Sequence, residues 1–204
     1  GSVPNNCGVP GFREYAFTFH SLKDVERLKD RINELKDSHE DPKNLVVVGG
    51  GATGVELACK LADVVDVKTK IHLFELGQQI LSSGNIFNQR NSQQALFQRH
   101  VQVHLETRVL EIGFDKVFCS SYSNKEIKTF SLLHKGLVWT AGTTPASSNL
   151  LKECSVKDGR ILINEYFQVL GLKDTLALGD VACFEKDSWP SNAQVAIQQG
   201  KAAA

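Results

Sequence analysis

Asn44-Leu-Val-Val-Val-Gly-Gly-Gly-Ala-Thr-Gly-Val-Glu-Leu-Ala58 decides how the rest of the chain is read. Leu45 to Val48 is an apolar, largely β-branched run, which predicts a fully buried strand. It breaks into glycines at Gly49, Gly51 and Gly54, spaced G-x-G-x-x-G. Val55, Ala58, Leu61 and Ala62 then recur at helical spacing. Strand, glycine turn and helix together aim helix N-terminal amides at a pyrophosphate. In that arrangement Gly49 makes the tight turn, Gly51 lets phosphate reach the backbone, and Gly54 lets the helix lie close to the strand. Thr53 falls in the first helical turn and joins this candidate binding set.

A glycine pattern alone is weak, and its partner is an acidic residue about 20 residues further on, at the end of a second strand. Thr69-Lys-Ile-His-Leu-Phe-Glu75 supplies it. The Glu75 carboxylate can accept both hydroxyls of an adenosine ribose and would repel a 2′-phosphate, so NADH is favoured over NADPH. The competing reading is a packing turn with a solvated glutamate.

Composition narrows the class. The 204 residues suit one large or two small domains. Lys plus Arg equals Asp plus Glu at 23 each, so no net field invites nucleic acid or an anionic surface. No apolar run approaches the roughly 18 residues that span a bilayer, and no secretory leader is visible. The five cysteines, Cys7, Cys59, Cys119, Cys154 and Cys183, form no C-x-x-C. Their scatter predicts a reducing compartment such as cytoplasm, no metal site and no dithiol pair in this segment. The chain has no methionine and opens Gly-Ser, so it is expected to be a soluble internal piece of a longer protein.

Outside the fingerprint, residues 1 to 12 carry loop chemistry. Ser21 and Asp24 predict a capping box, and Leu22, Val25, Leu28, Ile32 and Leu35 predict one apolar helix face over about 22–37. A further helix is expected over about 86–99 and a strand over 101–109. Two strand-like stretches, 109–118 and 126–133, are separated by the turn-like Ser120-Ser-Tyr-Ser-Asn124 and predict an antiparallel hairpin. Gly136-Leu-Val-Trp-Thr-Ala-Gly142 reads as a buried strand entering a small-residue turn. Short elements follow: a helix over 148–152, strands over 160–163, 167–170 and 175–180, and a helix after Trp189-Pro-Ser-Asn192. The fold expected is α/β: a Rossmann-like nucleotide-binding domain, its parallel sheet interrupted by an antiparallel hairpin, with incomplete flanking parts of a second domain.

Three further positions could carry chemistry. Glu56 follows Gly54 in the first turns of the helix, either stabilising the helix dipole or placing a carboxylate for proton relay beside a nicotinamide. Ala141 and Gly142 are small enough for a cofactor ring to approach the backbone. Gly179-Asp180 sits where ligands bind in open α/β sheets, although an Asp there also commonly caps a helix.

The order of these signals over residues 9 to 200 resembles the middle of a type II NADH dehydrogenase (NADH:quinone oxidoreductase) of the two-dinucleotide-domain flavoprotein superfamily. The resemblance is carried by Val9-Pro-Gly-Phe-Arg-Glu-Tyr-Ala-Phe-Thr-Phe-His-Ser-Leu-Lys-Asp24, Val138-Trp-Thr-Ala-Gly142, Ala177-Leu-Gly-Asp180 and Ala193-Gln-Val-Ala-Ile-Gln198. The last fits the family's A-Q-x-A-x-Q motif. The resemblance implies that Asp180, beside Gly179, hydrogen-bonds the ribityl chain of FAD, that Gln194 and Gln198 lie near the flavin and the quinone, and that Glu56 is the acidic residue near the nicotinamide. For the two glutamines, a plain polar helix face is the competing reading. His100 stands where the family commonly has glycine. The family's first glycine fingerprint, which holds the FAD pyrophosphate, and its C-terminal membrane-binding segment are missing from these 204 residues. The FAD site is therefore expected to be half present.

The resulting division is 1–41 as linker and helix leading in from the FAD domain, 42–141 as the NADH-binding domain, and 142–204 as the truncated C-terminal part of the FAD domain. The parent would be a peripheral membrane enzyme taking electrons from NADH through FAD to a quinone, and the isolated fragment would be inactive. Exposed strands over 160–178 could pair with a second copy and give a homodimer. Competing functions are another flavoprotein of the same architecture (an NADH oxidase, a ferredoxin or disulfide reductase) and a nucleotide-binding module without turnover.

Overall fold

The computed structural model describes residues 1–38, 41–123, 126–146, 154–186 and 189–204. It divides into two units: Asn6–Gly142, and Gly1–Asn5 together with Thr143–Ala204. The first strand, β1 (Ser2–Pro4), belongs to the smaller unit.

The larger unit opens with a single-turn helix, α1 (Phe12–Tyr15), followed by β2 (Ala16–Thr18) and the helix α2 (Leu22–Asp37). The capping box at Ser21 and Asp24 is formed. Next come β3 (Asn44–Val48), α3 (Ala52–Val64), β4 (Lys70–Phe74), α4 (Ile86–Gln98) and β5 (Gln102–His104). The antiparallel strands β6 (Thr107–Ile112), β7 (Lys116–Ser123) and β8 (Glu126–Leu133) precede β9 (Gly136–Trp139).

Five strands form a parallel sheet in the order β2-β9-β3-β4-β5. A parallel sheet must be covered on both faces, and β3 shows how, since all five of its residues are buried. Leu45 and Val47 face Leu28, Leu35, Val55, Ala58, Leu61 and Leu96 from the helices. Val46 and Val48, with Phe74, Leu137 and Trp139, pack against Val109, Ile112, Val117 and Cys119 of the β6-β7-β8 sheet. A run of apolar residues with no polar alternation is what a two-sided burial requires.

The insertion is a three-stranded meander, not the expected two-stranded hairpin. The expected strand over 101–109 breaks at Glu106, whose φ of +48° turns the chain out of the parallel sheet. The expected strand over 109–118 breaks at 113–115, where the Gly113 amide donates to the Lys116 carbonyl at 2.8 Å. Residues 120–123, expected as a turn, are strand, because Ser120 to Ser123 pair in register with Thr129 to Glu126. Asn124 lies outside the described residues. Strand pairing here outweighs the weak turn chemistry of serine. The short β2 carries no periodic signal of its own; it exists because Ala16, Phe17 and Thr18 pair with Leu137, Val138 and Trp139.

Packing does not divide the chain at residue 42. The segment 6–41, read from sequence as linker and helix, belongs to the larger unit. Its strand β2 extends the parallel sheet, and α2 buries Leu28 and Leu35 in the same core as β3.

In the smaller unit β1 pairs antiparallel with β10 (Thr143–Pro145). The strands β11 (Val156–Lys157), β12 (Arg160–Ile163) and β13 (Ala182–Phe184) form a second sheet, and α5 (Ala193–Ala203) is capped by Asn192. The expected strand over 167–170 reduces to the isolated bridges Ile163–Val169 and Gln168–Leu176. The expected strand over 175–180 is corrected as well. Gly179–Val181 is a 3-10 turn, and β13 starts only at Ala182. At φ +70° Gly179 cannot continue a strand. The helix expected over 148–152 lies outside the described residues.

Candidate functional site

The fingerprint folds as a contact surface for three other segments. The Gly49 amide donates to the Phe74 carbonyl at 2.8 Å, and Gly49 sits at φ +110°. A Cβ there would lie 2.9 Å from the Ala141 nitrogen, which ties the turn to the end of β9. A Cβ on Gly54 would lie 1.8 Å from the Gly49 carbonyl oxygen, so α3 can start this close to β3 only with glycine there. Gly51 differs. It is the N-cap of α3, no side chain caps the helix, and a Cβ on it would meet nothing within 4 Å. Gly51, Ala52 and Thr53 are exposed at this helix start, and no side chain on the cap accepts from the first amides of α3. That is the geometry a phosphate fits.

Glu75 follows β4 at its carboxyl end. Its amide donates to the His104 carbonyl at 2.9 Å, and its carbonyl accepts the Thr107 amide at 2.8 Å. The side chain is held as firmly. One carboxylate oxygen accepts the Gly50 amide at 2.5 Å and the other the Gly77 amide at 2.6 Å. A Cβ on Gly50 would sit 2.7 Å from the carboxylate. Gly50 is thus a third constrained glycine that the spacing pattern leaves unmarked. Thr140 is another residue the sequence did not single out: its hydroxyl donates to the Val48 carbonyl at 2.8 Å and sits where Gly54 passes.

Two clefts meet at Gly50, Gly51 and Glu75. One, of about 420 Å³, runs under α3 and α4 and is lined by Glu56, Ser82, Asn88 and Ser92 among others. The other, of about 390 Å³, lies against the meander and is lined by Cys7, Leu76, Arg108, Trp139, Ala141 and Gly142. Glu56 and Ala141–Gly142 therefore line different clefts, one on each side of the glycine turn. Thr53 is exposed on the first turn of α3. The Trp139 indole donates to the Ala141 carbonyl at 2.7 Å and closes the small-residue turn.

In the smaller unit Gly179 and Asp180 share the 3-10 turn, and the Ser2 hydroxyl donates to the Asp180 carboxylate at 3.2 Å. Gln194 and Gln198 are exposed on α5. Gln199, which no motif marked, is buried at 3% exposure, and its side-chain oxygen accepts the Gly179 amide at 2.6 Å. The Ala196, Gln199, Ala203 spacing along α5 is the signal that could have found it.

Behind the parallel sheet, burial favours the neutral forms of three titratable groups. Burial lowers His72 to about 4, helped by His104 and Lys70, and burial also lowers His104. Burial pushes the Cys119 thiol up to about 12, which removes it as a nucleophile.

Residues 1–200 match the family described as pyridine nucleotide-disulphide oxidoreductase. The chain belongs to this family. Demethylphylloquinone reductase NdbB of Synechocystis is 31% identical over 203 residues, covering 97% of this chain and 48% of that protein. The external alternative NAD(P)H-ubiquinone oxidoreductase B4 of Arabidopsis thaliana mitochondria is 29% identical, covering 89% of this chain and 35% of that protein. Plasmodium falciparum NDH2, solved with NADH, superposes with a TM-score of 0.81 at 18% identity, over 91% of this chain and 43% of that one. The chain thus spans about half or less of the length of these family members. The resemblance drawn from the motifs is borne out by what these relatives are. The α/β Rossmann-like fold expected from the fingerprint is the family's fold, and among the described residues no helix is long and apolar enough to cross a membrane.

Proposed function

We propose that this chain is the nucleotide-binding core, with part of the flavin-binding domain, of an NADH:quinone oxidoreductase. The observation that carries the reading is the pairing of an uncapped α3 start at Gly51 with a Glu75 carboxylate fixed on two backbone amides. In this reading Gly49, Gly51, Thr53 and Gly54 present the pyrophosphate amides of the NADH site. Glu75 accepts the adenosine ribose hydroxyls and disfavours a 2′-phosphate. Glu56, at the helix end of the first cleft, holds a proton-accepting carboxylate near the turn. Ala141 and Gly142 let the nicotinamide lie against backbone and keep water from that face.

The smaller unit supplies half of an FAD site. Its donor set fits: Gly179 allows the backbone to turn at φ +70°, and Asp180 presents a carboxylate that can accept ribityl hydroxyls. Gly179 and Asp180 would hold part of the FAD, which would supply the acceptor for NADH hydride and the route of electrons to the quinone. Gln194 and Gln198, exposed on α5, offer amide donors and acceptors to a quinone head group. The parent associates with a membrane at its periphery, which sedimentation of the purified protein with and without vesicles reads; β12 already pairs with β11 and β13, so the strand pairing with a second copy expected over 160–178 has no free edge at β12.

The deciding experiment is steady-state oxidation of NADH by the full-length protein with a soluble quinone as acceptor. Quinone-dependent NADH oxidation and a flavin absorbance spectrum are expected. A colourless protein, or oxidation indifferent to quinone, overturns the reading.

A further inference from the structure

We propose that Gln199 is a positioning residue: through the Gly179 amide it fixes Asp180 and ties it to the helix that carries Gln194 and Gln198. The proposal rests on the flavin reading above. Gly179 opens a 3-10 turn and has left the strand region, so its amide has no ladder partner. Gly179 is half-buried, and an N–H withdrawn from water without an acceptor is costly. The acceptor comes from α5, across the unit, as the Gln199 side-chain oxygen at 2.6 Å. A second contact on the same helix face keeps the distance: a Cβ on Gly179 would lie 3.2 Å from the Ala196 Cβ. Ala196 and Gln199 are three residues apart, so they sit one above the other on the helix. Asp180 is the next residue in the turn, and Ser2 donates to its carboxylate from the other side. Moving or untying α5 therefore moves Asp180. Gln194 and Gln198, four residues apart, are exposed on the same helix. The helix offered to the acceptor and the carboxylate offered to the flavin are one mechanical piece.

The test uses the flavin-loaded full-length protein and three variants. Gln199→Met keeps volume and removes the acceptor. Gln199→Glu keeps an acceptor oxygen. Gly179→Ala pushes the same turn against Ala196 from the other side. Flavin Kd, the flavin midpoint potential and hydrogen exchange at the Gly179 amide are read. Gln199→Met is expected to raise flavin Kd about tenfold, the equivalent of one lost hydrogen bond. It should also shift the midpoint and speed exchange at Gly179. Gly179→Ala should do the same to the flavin, and Gln199→Glu should keep flavin Kd within about threefold of the wild type. Flavin Kd and midpoint unchanged in a folded Gln199→Met overturn the proposal alone. Should Gln199→Met not fold, Gly179→Ala with unchanged flavin affinity overturns it. A wild-type protein with no flavin overturns the functional reading and this proposal with it.

Discussion

The Glu75 carboxylate accepts the Gly50 amide at 2.5 Å, so the acid at the end of β4 and the glycine turn after β3 are a single rigid piece. The Gly77 amide holds the other oxygen at 2.6 Å. A free glutamate would have to lose side-chain freedom on meeting a ribose. This one has already lost it, and it still has lone pairs to offer.

Glu75→Ala should therefore do two things. It should raise the Kd for NADH by about tenfold or more, since hydrogen bonds to a charged group contribute about 1.5–3 kcal/mol. It should also narrow the preference for NADH over NADPH, because the negative charge facing a 2′-phosphate is gone. Titration of both nucleotides by calorimetry reads the two Kd values. An unchanged ratio between them would remove Glu75 from the ribose site.

The glycines separate stability from binding. Gly54→Ala puts a Cβ 1.8 Å from the Gly49 carbonyl oxygen and should lower stability by about 3 kcal/mol through overpacking. Gly51→Ala meets open space at an ordinary negative φ and should change stability by less than about 1 kcal/mol. It should still weaken NADH, because the added methyl occupies the phosphate approach. Chemical denaturation beside nucleotide titration distinguishes the pair. Equal stability losses in both would mean that Gly51 is structural.

Cys7 and Cys119 give an accessible reporter. Cys7 is exposed and lines the cleft with Ala141 and Gly142, whereas Cys119 is fully buried and its thiol is raised to about 12. A thiol reagent should modify Cys7 in the folded chain and leave Cys119 untouched until unfolding. Saturating NADH should slow the Cys7 reaction several-fold. Mass spectrometry of the labelled peptides checks both, and indifference of Cys7 to NADH would place the nucleotide outside that cleft.

What could be read from the sequence follows from the range of the forces involved. The turn at Gly49 to Gly54 and the strand leading to Glu75 rest on local sterics and a continuous apolar run, so both are visible in a single chain. The meander is not. Ser120 to Ser123 look like a turn because nothing nearby contradicts it, and only pairing with Glu126 to Thr129 makes them strand. β2 is likewise created by β9. On α5 the family motif pointed to Gln194 and Gln198, which the structure leaves exposed. The glutamine that is buried, Gln199, answers an amide 20 residues earlier, and no motif records such a demand.

Acid should weaken the junction between the parallel sheet and the meander. His72 Nδ1 lies 3.0 Å from His104 Nε2, and His72 Nε2 lies 3.3 Å from the Asn44 side-chain oxygen. Asn44 in turn donates to the Leu133 carbonyl at the end of β8. One proton fits between the two rings, and charging both would leave two facing cations with Phe74 and Phe130 packed around them. Burial lowers His72 from an ordinary 6.5 to about 4 in the folded chain. Its unfolded form binds the proton first, so its contribution is complete above about pH 6.5 and is lost as pH falls toward 4. Buried His134, also lowered to about 4 by burial, acts in the same window and direction. Unfolding free energy should drop by a few kcal/mol between pH 7 and 4, on the order of 2 kcal/mol of it from His72. His72→Asn, which cannot be protonated there, should have a shallower slope across that range. Urea midpoints at half-unit pH steps measure both slopes. Parallel slopes would show that His72 binds its proton equally well in the folded and unfolded chain, with no lowering by burial.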